Sequence, residues 1–193
     1  MARLLRALIR RFDAYLCRIY GVYEFTQDPE CILRISKITA VYAYIANGIT
    51  IIPAGEPVLE IHLWNEHMTP LSASESSMVW TGRILRKFKY SLKLIARQMG
   101  SDPDLAAVRG IVAVTSVLSS ESNPDRPDFM QRLGFITGPY TSRLGAFGEF
   151  WENFYAWWMM WTYNPLSLRS RHLLGIHRTE MWMPIAVFKQ RYS

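Results

Sequence analysis

The stretch GIVAVTSVLSS, residues 110–120, constrains the fold most. It is rich in β-branched residues and carries no charge, the composition of a strand buried on both faces. Such a strand needs cover above and below, so further layers must flank its sheet. One cover is at hand. Ile84, Phe88, Leu92, Ile95 and Met99 form a single stripe along a helix from Val79 to Met99, which Gly100 would stop. A strand from Val58 to Asn65 precedes that helix, and Asp125 and Asp128 open a short one that closes at Gly134. The expected fold is therefore α/β (or α+β), a single domain whose mixed sheet is flanked by helices.

The remaining elements fit that plan. Cys31 to Ala40 alternates as a strand, with Ile32, Arg34, Ser36 and Ile38 opposite Leu33, Ile35 and Lys37. Gly48 to Ile52 reads as a second strand, PAGEP (residues 53–57) as a turn, and Val58 onward as its hairpin partner. The tail MWMPIAVFKQRY reads as a final strand. In the first 20 residues, Leu4, Leu5, Leu8, Ile9, Phe12, Leu16 and Ile19 recur at helical spacing among five arginines. Residues 1–20 thus form a basic amphipathic helix, and 21–193 the α/β domain, which includes an aromatic-rich helix near 146–163.

That first helix either lies on a membrane surface or packs its stripe on its own domain. The aromatic helix, GEFWENFYAWWMMWTY, is apolar nearly all round. It is core, a bilayer-interface element or an oligomer contact. Arg6, Arg10 and Arg11 with Trp151, Trp157, Trp158 and Trp161 are the candidate membrane or partner contacts. No segment reads as a membrane span: Asn47, Gly48 and Pro53 interrupt residues 38–55, and residues 153–168 are too few.

Half of the residues are hydrophobic, which excludes disorder as a description of the chain. The 22 Lys and Arg exceed the 16 Asp and Glu, a net charge of +6 that favours anionic partners such as acidic lipid. No nucleic-acid reader motif holds these residues, so nucleic acid is not expected. Cys17 and Cys31 lack metal or redox spacing and read as free thiols in a reducing compartment. Arg10, Arg11 and Asp13 interrupt any secretory signal, pointing to a cytoplasmic location, in contact with the inner face of the membrane if the first helix binds it.

The densest chemistry is VLEIHLWNEHM, residues 58–68. Strand alternation puts Glu60 and His62 on one face, where the carboxylate could orient the imidazole as a general base. The competing reading is a histidine satisfied inside the sheet. A metal site is not expected, because His67 falls on the following loop and no HExxH pattern is present. Asn65, Glu66 and His67 with Thr81, Gly82, Arg83 and Arg86 are the candidate ligand-binding residues. The logic is that of a loop feeding a helix N-terminus, where free N–H groups and arginines meet an anion.

The run from the 58–65 strand to RLGF (residues 132–135) resembles the second half of the GNAT acetyltransferase fold. There the loop before the long helix binds the pyrophosphate of acyl-CoA, and the matching stretch here, MVWTGRIL, carries one glycine. That resemblance implies acyl-CoA as cofactor and Glu60 or His62 as base; the residues themselves identify no cofactor. A resemblance over most of the chain rests on FDAYLCRIYG, VLEIHLWNE, GRILRKFKYSLKLIARQM, VRGIVAVTSVL and RLGF, in that order. Together they resemble the YkoP-like domain, a bacterial family found alone or attached to polysaccharide deacetylases. It implies a cell-envelope context and no reaction; with the basic charge, the expected function is an accessory protein that meets an anionic lipid or lipid-linked ligand, with a polysaccharide-modifying enzyme as partner. The deacetylase motifs are absent. A third expectation is an interaction protein that oligomerises through its aromatic helix.

Overall fold

The computed structural model describes residues 2–115, 129–142, 144–170 and 178–193. Helix α1 (Ala2–Ile19) precedes strand β1 (Leu33–Thr39), strands β2 (Tyr44–Ala46) and β3 (Ile49–Ile52), and β4 (Pro57–Leu63). The long α2 (Ser77–Ser101), short α3 (Pro103–Ala106) and β5 (Gly110–Thr115) follow. Then come α4 (Phe129–Arg132), β6 (Ile136–Pro139), α5 (Gly145–Tyr163), β7 (Thr179–Pro184) and α6 (Ile185–Tyr192). The expected extension of β5 to Ser120, the aspartates opening α4, and His172 and His177 lie outside the described residues.

Five strands form one mixed sheet in the order β1-β4-β5-β7-β6. β4 and β5 run parallel, joined by the α2 crossover, while β1/β4, β5/β7 and β6/β7 are antiparallel. The α/β architecture with flanking helices and an N-terminal helix is therefore present.

Some expected details change, the helix stop at Gly100 among them. Residues 48–52 do not pair with β4; β3 pairs with β2 in a hairpin of its own, and β4 pairs with β1. The cause is the Asn47-Gly48 dipeptide, whose φ angles of 50° and 77° close a two-residue turn locally. The tail is also not one strand. Pro184 cannot donate to a ladder, and the chain turns there into α6, whose Phe188 and Tyr192 are buried one helical turn apart.

Strand alternation sends Leu33, Ile35, Leu59, Ile61, Ile111 and Met183 to the inner face of the sheet, against α2 and α6. The α2 stripe from Ile84 to Met99 is buried there. At roughly 1.5–3 kcal/mol for each fully buried aliphatic or aromatic side chain, this layer is the main source of stability. Ser76 caps α2 by accepting from the Val79 N–H, and the helix continues through Gly100 to Ser101. Ser91, buried on this helix, donates to the Lys87 carbonyl at 2.8 Å and accepts from the Ile32 N–H at 2.9 Å.

The outer face is split. At one end the hairpin lays Tyr44 and Ile52 on Val58, Val112 and Trp182. At the other end lie α1 and α5. Helix α1 docks by a mixed side: Ile9 and Asp13 are buried, and Arg6, Leu16 and Cys17 partly so. Its apolar stripe is divided: Ile9 and part of Leu16 pack on the domain, while Leu4, Leu8, Phe12 and Ile19 face outward, Leu8 59% and Ile19 57% exposed.

Candidate functional site

Register builds the site. β1 and β4 pair Arg34 with His62 and Ser36 with Glu60, so all four project from the outer face. The Ser36 Oγ lies 3.0 Å from the His62 Nε2 and 3.5 Å from Glu60 Oε2, and Nε2 lies 3.4 Å from the same carboxylate oxygen. Ser36 is buried, whereas the Glu60 and His62 side chains are 28% and 32% exposed. Both partners sit on Nε2, so this is no serine–histidine–acid relay, in which the two partners occupy opposite nitrogens. A buried hydroxyl is also out of a substrate's reach. Ser36 instead positions the pair: with Nε2–H donating to Ser36, and Ser36 donating to Glu60, the His62 Nδ1 keeps an open lone pair.

The outer face continues across β5 and β7. Glu60 neighbours Val112, and the next outer-face position, Val114, pairs with Glu180, which accepts from the Tyr42 hydroxyl beside the hairpin. A polar strip thus runs between hairpin and helices. Glu60 and Glu180 flank β5, with strands about 4.8 Å apart.

The helical end of the strip is an ion network. Arg34 Nη1 lies 3.2 Å from Asp13 of α1, Nη2 lies 3.4 Å from Glu24, and Glu66 binds the same nitrogen. The guanidinium stacks over Trp64, 5.2 Å from the ring centroid, and Trp64 Nε1 donates to Glu66 at 2.9 Å. Tyr155 of α5 donates to Asp13, and Tyr163 donates to Glu66 at 3.1 Å. Burial disfavours the charged guanidinium, yet Glu66, Cys17 and Asp13 outweigh it and hold Arg34 above its ordinary value. Burial, then the bond to Asp13, pushes the Tyr155 hydroxyl well up; burial and Glu66 do the same to Tyr163.

A family model for the YkoP domain matches residues 3–192. The chain belongs to the YkoP domain family. No curated protein and no solved structure matches it. The match spans α1 as well as the sheet, and it is to the YkoP domain, not to an acetyltransferase.

In this YkoP domain the expected site residues fall into separate groups. Glu60 and His62 stand together. Asn65, Glu66 and His67 form a 3-10 turn, in which Glu66 joins the Arg34 network. His67 stacks on Trp64 with centroids 3.5 Å apart and donates from Nδ1 to the Cys31 carbonyl at 2.8 Å. Thr81 and Gly82 lie inside α2, which starts at Ser77, so their N–H groups are spent within the helix. Arg83 pairs with Glu75, and Arg86 is exposed. Because α2 covers the inner face, the sheet separates these four from Glu60 and His62.

Of the expected surface contacts, Arg6 lies over Trp161 and Arg10 over Tyr163, each 5.5 Å from the ring centroid. Arg11 and Trp151 are exposed, while Trp157, Trp158 and Trp161 are partly buried. Among the described residues no group of three or more His, Cys, Asp or Glu could hold a metal ion. No described helix is long and apolar enough to cross a membrane. Both cysteines are free, and burial raises each thiol. Sequence reasoning missed Ser36, Asp13, Tyr155, Tyr42 and Glu180. Alternation did place Ser36 and Arg34 on one face, and only the pairing of β1 with β4 was needed to complete the cluster.

Proposed function

We propose that this YkoP domain is an accessory protein that binds an anionic or lipid-linked cell-envelope molecule at a membrane surface. The reading is carried by the cross-strand cluster of Ser36, Glu60 and His62, half-open on the strip between hairpin and helices. Its polar groups are carboxylates, hydroxyls and an imidazole, so the part of the ligand that enters it bears hydroxyls or an amine. Any phosphate on that ligand is left to arginines outside the strip. His62, with Nδ1 open, accepts a proton from such a group, and Glu60 balances the imidazolium. A polysaccharide-modifying enzyme would be its partner.

The test is an amide-shift titration with a polyprenyl-phosphate-linked amino sugar. Perturbations at Glu60, His62 and Val114, weakened at least about tenfold in Glu60→Gln with His62→Asn, support the reading. Saturation without any shift in β4 or β5 would end it.

A second reading, an acyltransferase using acyl-CoA, is favoured by one observation. β4 and β5 pair only from Val58–Glu60 to Gly110–Val112. Beyond that, residues 61–63 have no register partner on β5, and an amide-bearing chain could bond to that edge. Acyl-CoA that neither raises the melting temperature nor appears in native mass spectra removes this reading.

A further inference from the structure

An amphipathic helix normally buries its apolar side, because that is where the free energy of docking lies. Helix α1 buries Ile9 but leaves most of its apolar side outward. Its inward side carries Asp13, bonded to Arg34 and Tyr155, with Arg6 and Arg10 laid over Trp161 and Tyr163. Its outward side carries Leu4, Leu8, Phe12, Tyr15 and Ile19, all exposed. At 100° per residue these five form a continuous stripe along the helix. Arg11 and Arg18, seven residues apart, border it beside Leu4 and Tyr15; both are exposed, and neither has an ion pair among the described residues.

The stripe does not end with the helix. Phe12 meets Tyr155 and Trp158 of α5, with centroids 6.5 and 6.4 Å apart. From Trp158 the ring contacts continue through Phe154 to Phe150 and Trp151, then Phe147. Phe147, Phe150 and Trp151 at the start of α5 are exposed. On the same side of the sheet the β2–β3 hairpin exposes Val41, Ile45 and Ile49. Scattered apolar residues need no explanation, but a contiguous patch over two helices marks an interaction surface.

We propose that the outward face of α1 and the start of α5 dock flat on an anionic lipid bilayer. The proposal deepens the membrane-surface reading above, from which it takes the location alone. Charge decides the occupant. The one acid of α1, Asp13, is turned inward and neutralised, so the rim shown to a partner is arginine. A second copy docking stripe to stripe would set Arg11 and Arg18 against their own equivalents, at a repulsive cost. An acidic lipid surface meets the same rim with opposite charge, while Leu8, Ile19 and Trp151 enter the acyl boundary. Docking in this pose turns the strip of Glu60 and His62 toward the head groups.

Flotation of the whole chain with phosphatidylglycerol vesicles, against phosphatidylcholine vesicles, tests this. The expected result is binding to the anionic vesicles that falls as salt rises. Leu8→Gln with Ile19→Gln, both at exposed positions, abolishes it, and Arg11→Glu with Arg18→Glu weakens it at least about tenfold. Unchanged thermal midpoints show that the variants are folded. No flotation at low salt, or flotation untouched by Leu8→Gln with Ile19→Gln, overturns the proposal. So does a concentration-dependent dimer in sedimentation velocity that the same pair disrupts. Glu60→Gln with His62→Asn still floats, so failure of the docking surface and failure of the ligand site are read separately.

Discussion

The guanidinium of Arg34 on β1 and the carboxylate of Asp13 on α1 meet at 3.2 Å, with only 10% and 7% of their side chains exposed. This pair, beside the buried Ile9, fastens α1 to the sheet. Removing one partner of a buried pair leaves the other charged and unsolvated, which costs about 3–5 kcal/mol. Arg34→Met is therefore expected to lower the denaturant midpoint steeply, against a total stability of roughly 5–15 kcal/mol. Arg34→Met with Asp13→Leu is expected to regain most of the loss. A double variant no better than the single one would mean that the other partners of Arg34 dominate.

The Tyr155 hydroxyl donates to the same carboxylate, and its native proton is held more tightly than in the unfolded chain. The unfolded value is about 10, so the contribution is complete below that pH and declines above it. There the unfolded state has lost a proton that the native state keeps, and stability falls as pH rises. Melting curves from pH 8 to 11 should show a shallower alkaline decline for Tyr155→Phe than for the natural chain. At neutral pH the variant loses about 1 kcal/mol, one hydrogen bond. Parallel declines would contradict the assignment.

Ser36 supports both Glu60 and His62 from below the strip. Ser36→Ala removes one buried hydroxyl and costs roughly 1–3 kcal/mol. Its distinctive effect is on His62, whose Nε2 loses its 3.0 Å partner. Side-chain nitrogen spectra should show a changed tautomer balance at His62 and none at His67, which the Cys31 carbonyl holds. An unchanged His62 would show that Glu60 alone orients the ring.

Gly110 lies where β5 passes beneath the hairpin. A Cβ there would lie 2.3 Å from Ile52 Cδ1 and 3.0 Å from the Met183 carbonyl oxygen. The isoleucine end can rotate, but the β7 backbone cannot, so Gly110→Ala is expected to cost about 1–3 kcal/mol. Gly82→Ala, in open space on α2, should instead gain up to about 1 kcal/mol in the same thermal melts.

The inner layer was legible in the sequence because period two in β1 and β4 and period 3.6 in α2 each report one buried face. The mixed sheet followed from the β-branched run of β5. Pairing was harder. Asn47-Gly48 between Ile45 and Ile49 is a local hairpin signal, and reading it as an interruption assigned β4 the wrong partner. Pro184 divided the tail in a way that its apolar run concealed. In α1 the periodicity located the stripe but could not say which side faces the protein. That orientation is set by Asp13 and Arg34, 21 residues apart, and by Tyr155, 142 residues from Asp13. The Glu60–His62 pair was readable within its strand, while Ser36 and Glu180 join it only through neighbouring strands.

The distance from Asp13 to Tyr155 also sets an order of events during synthesis. Chains leave the ribosome at about 5–20 residues per second, so α1 is exposed for about 7–28 s before α5 has been made. Neither of the two hydrophobic clusters contains a residue of α1. β1, β4 and β5 can therefore pack on α2 before α5 is there to meet this helix. The nascent chain carries its greasy arginine-edged face first and gains the α5 side of its anchorage much later, an interval in which lipid or a chaperone can meet the helix.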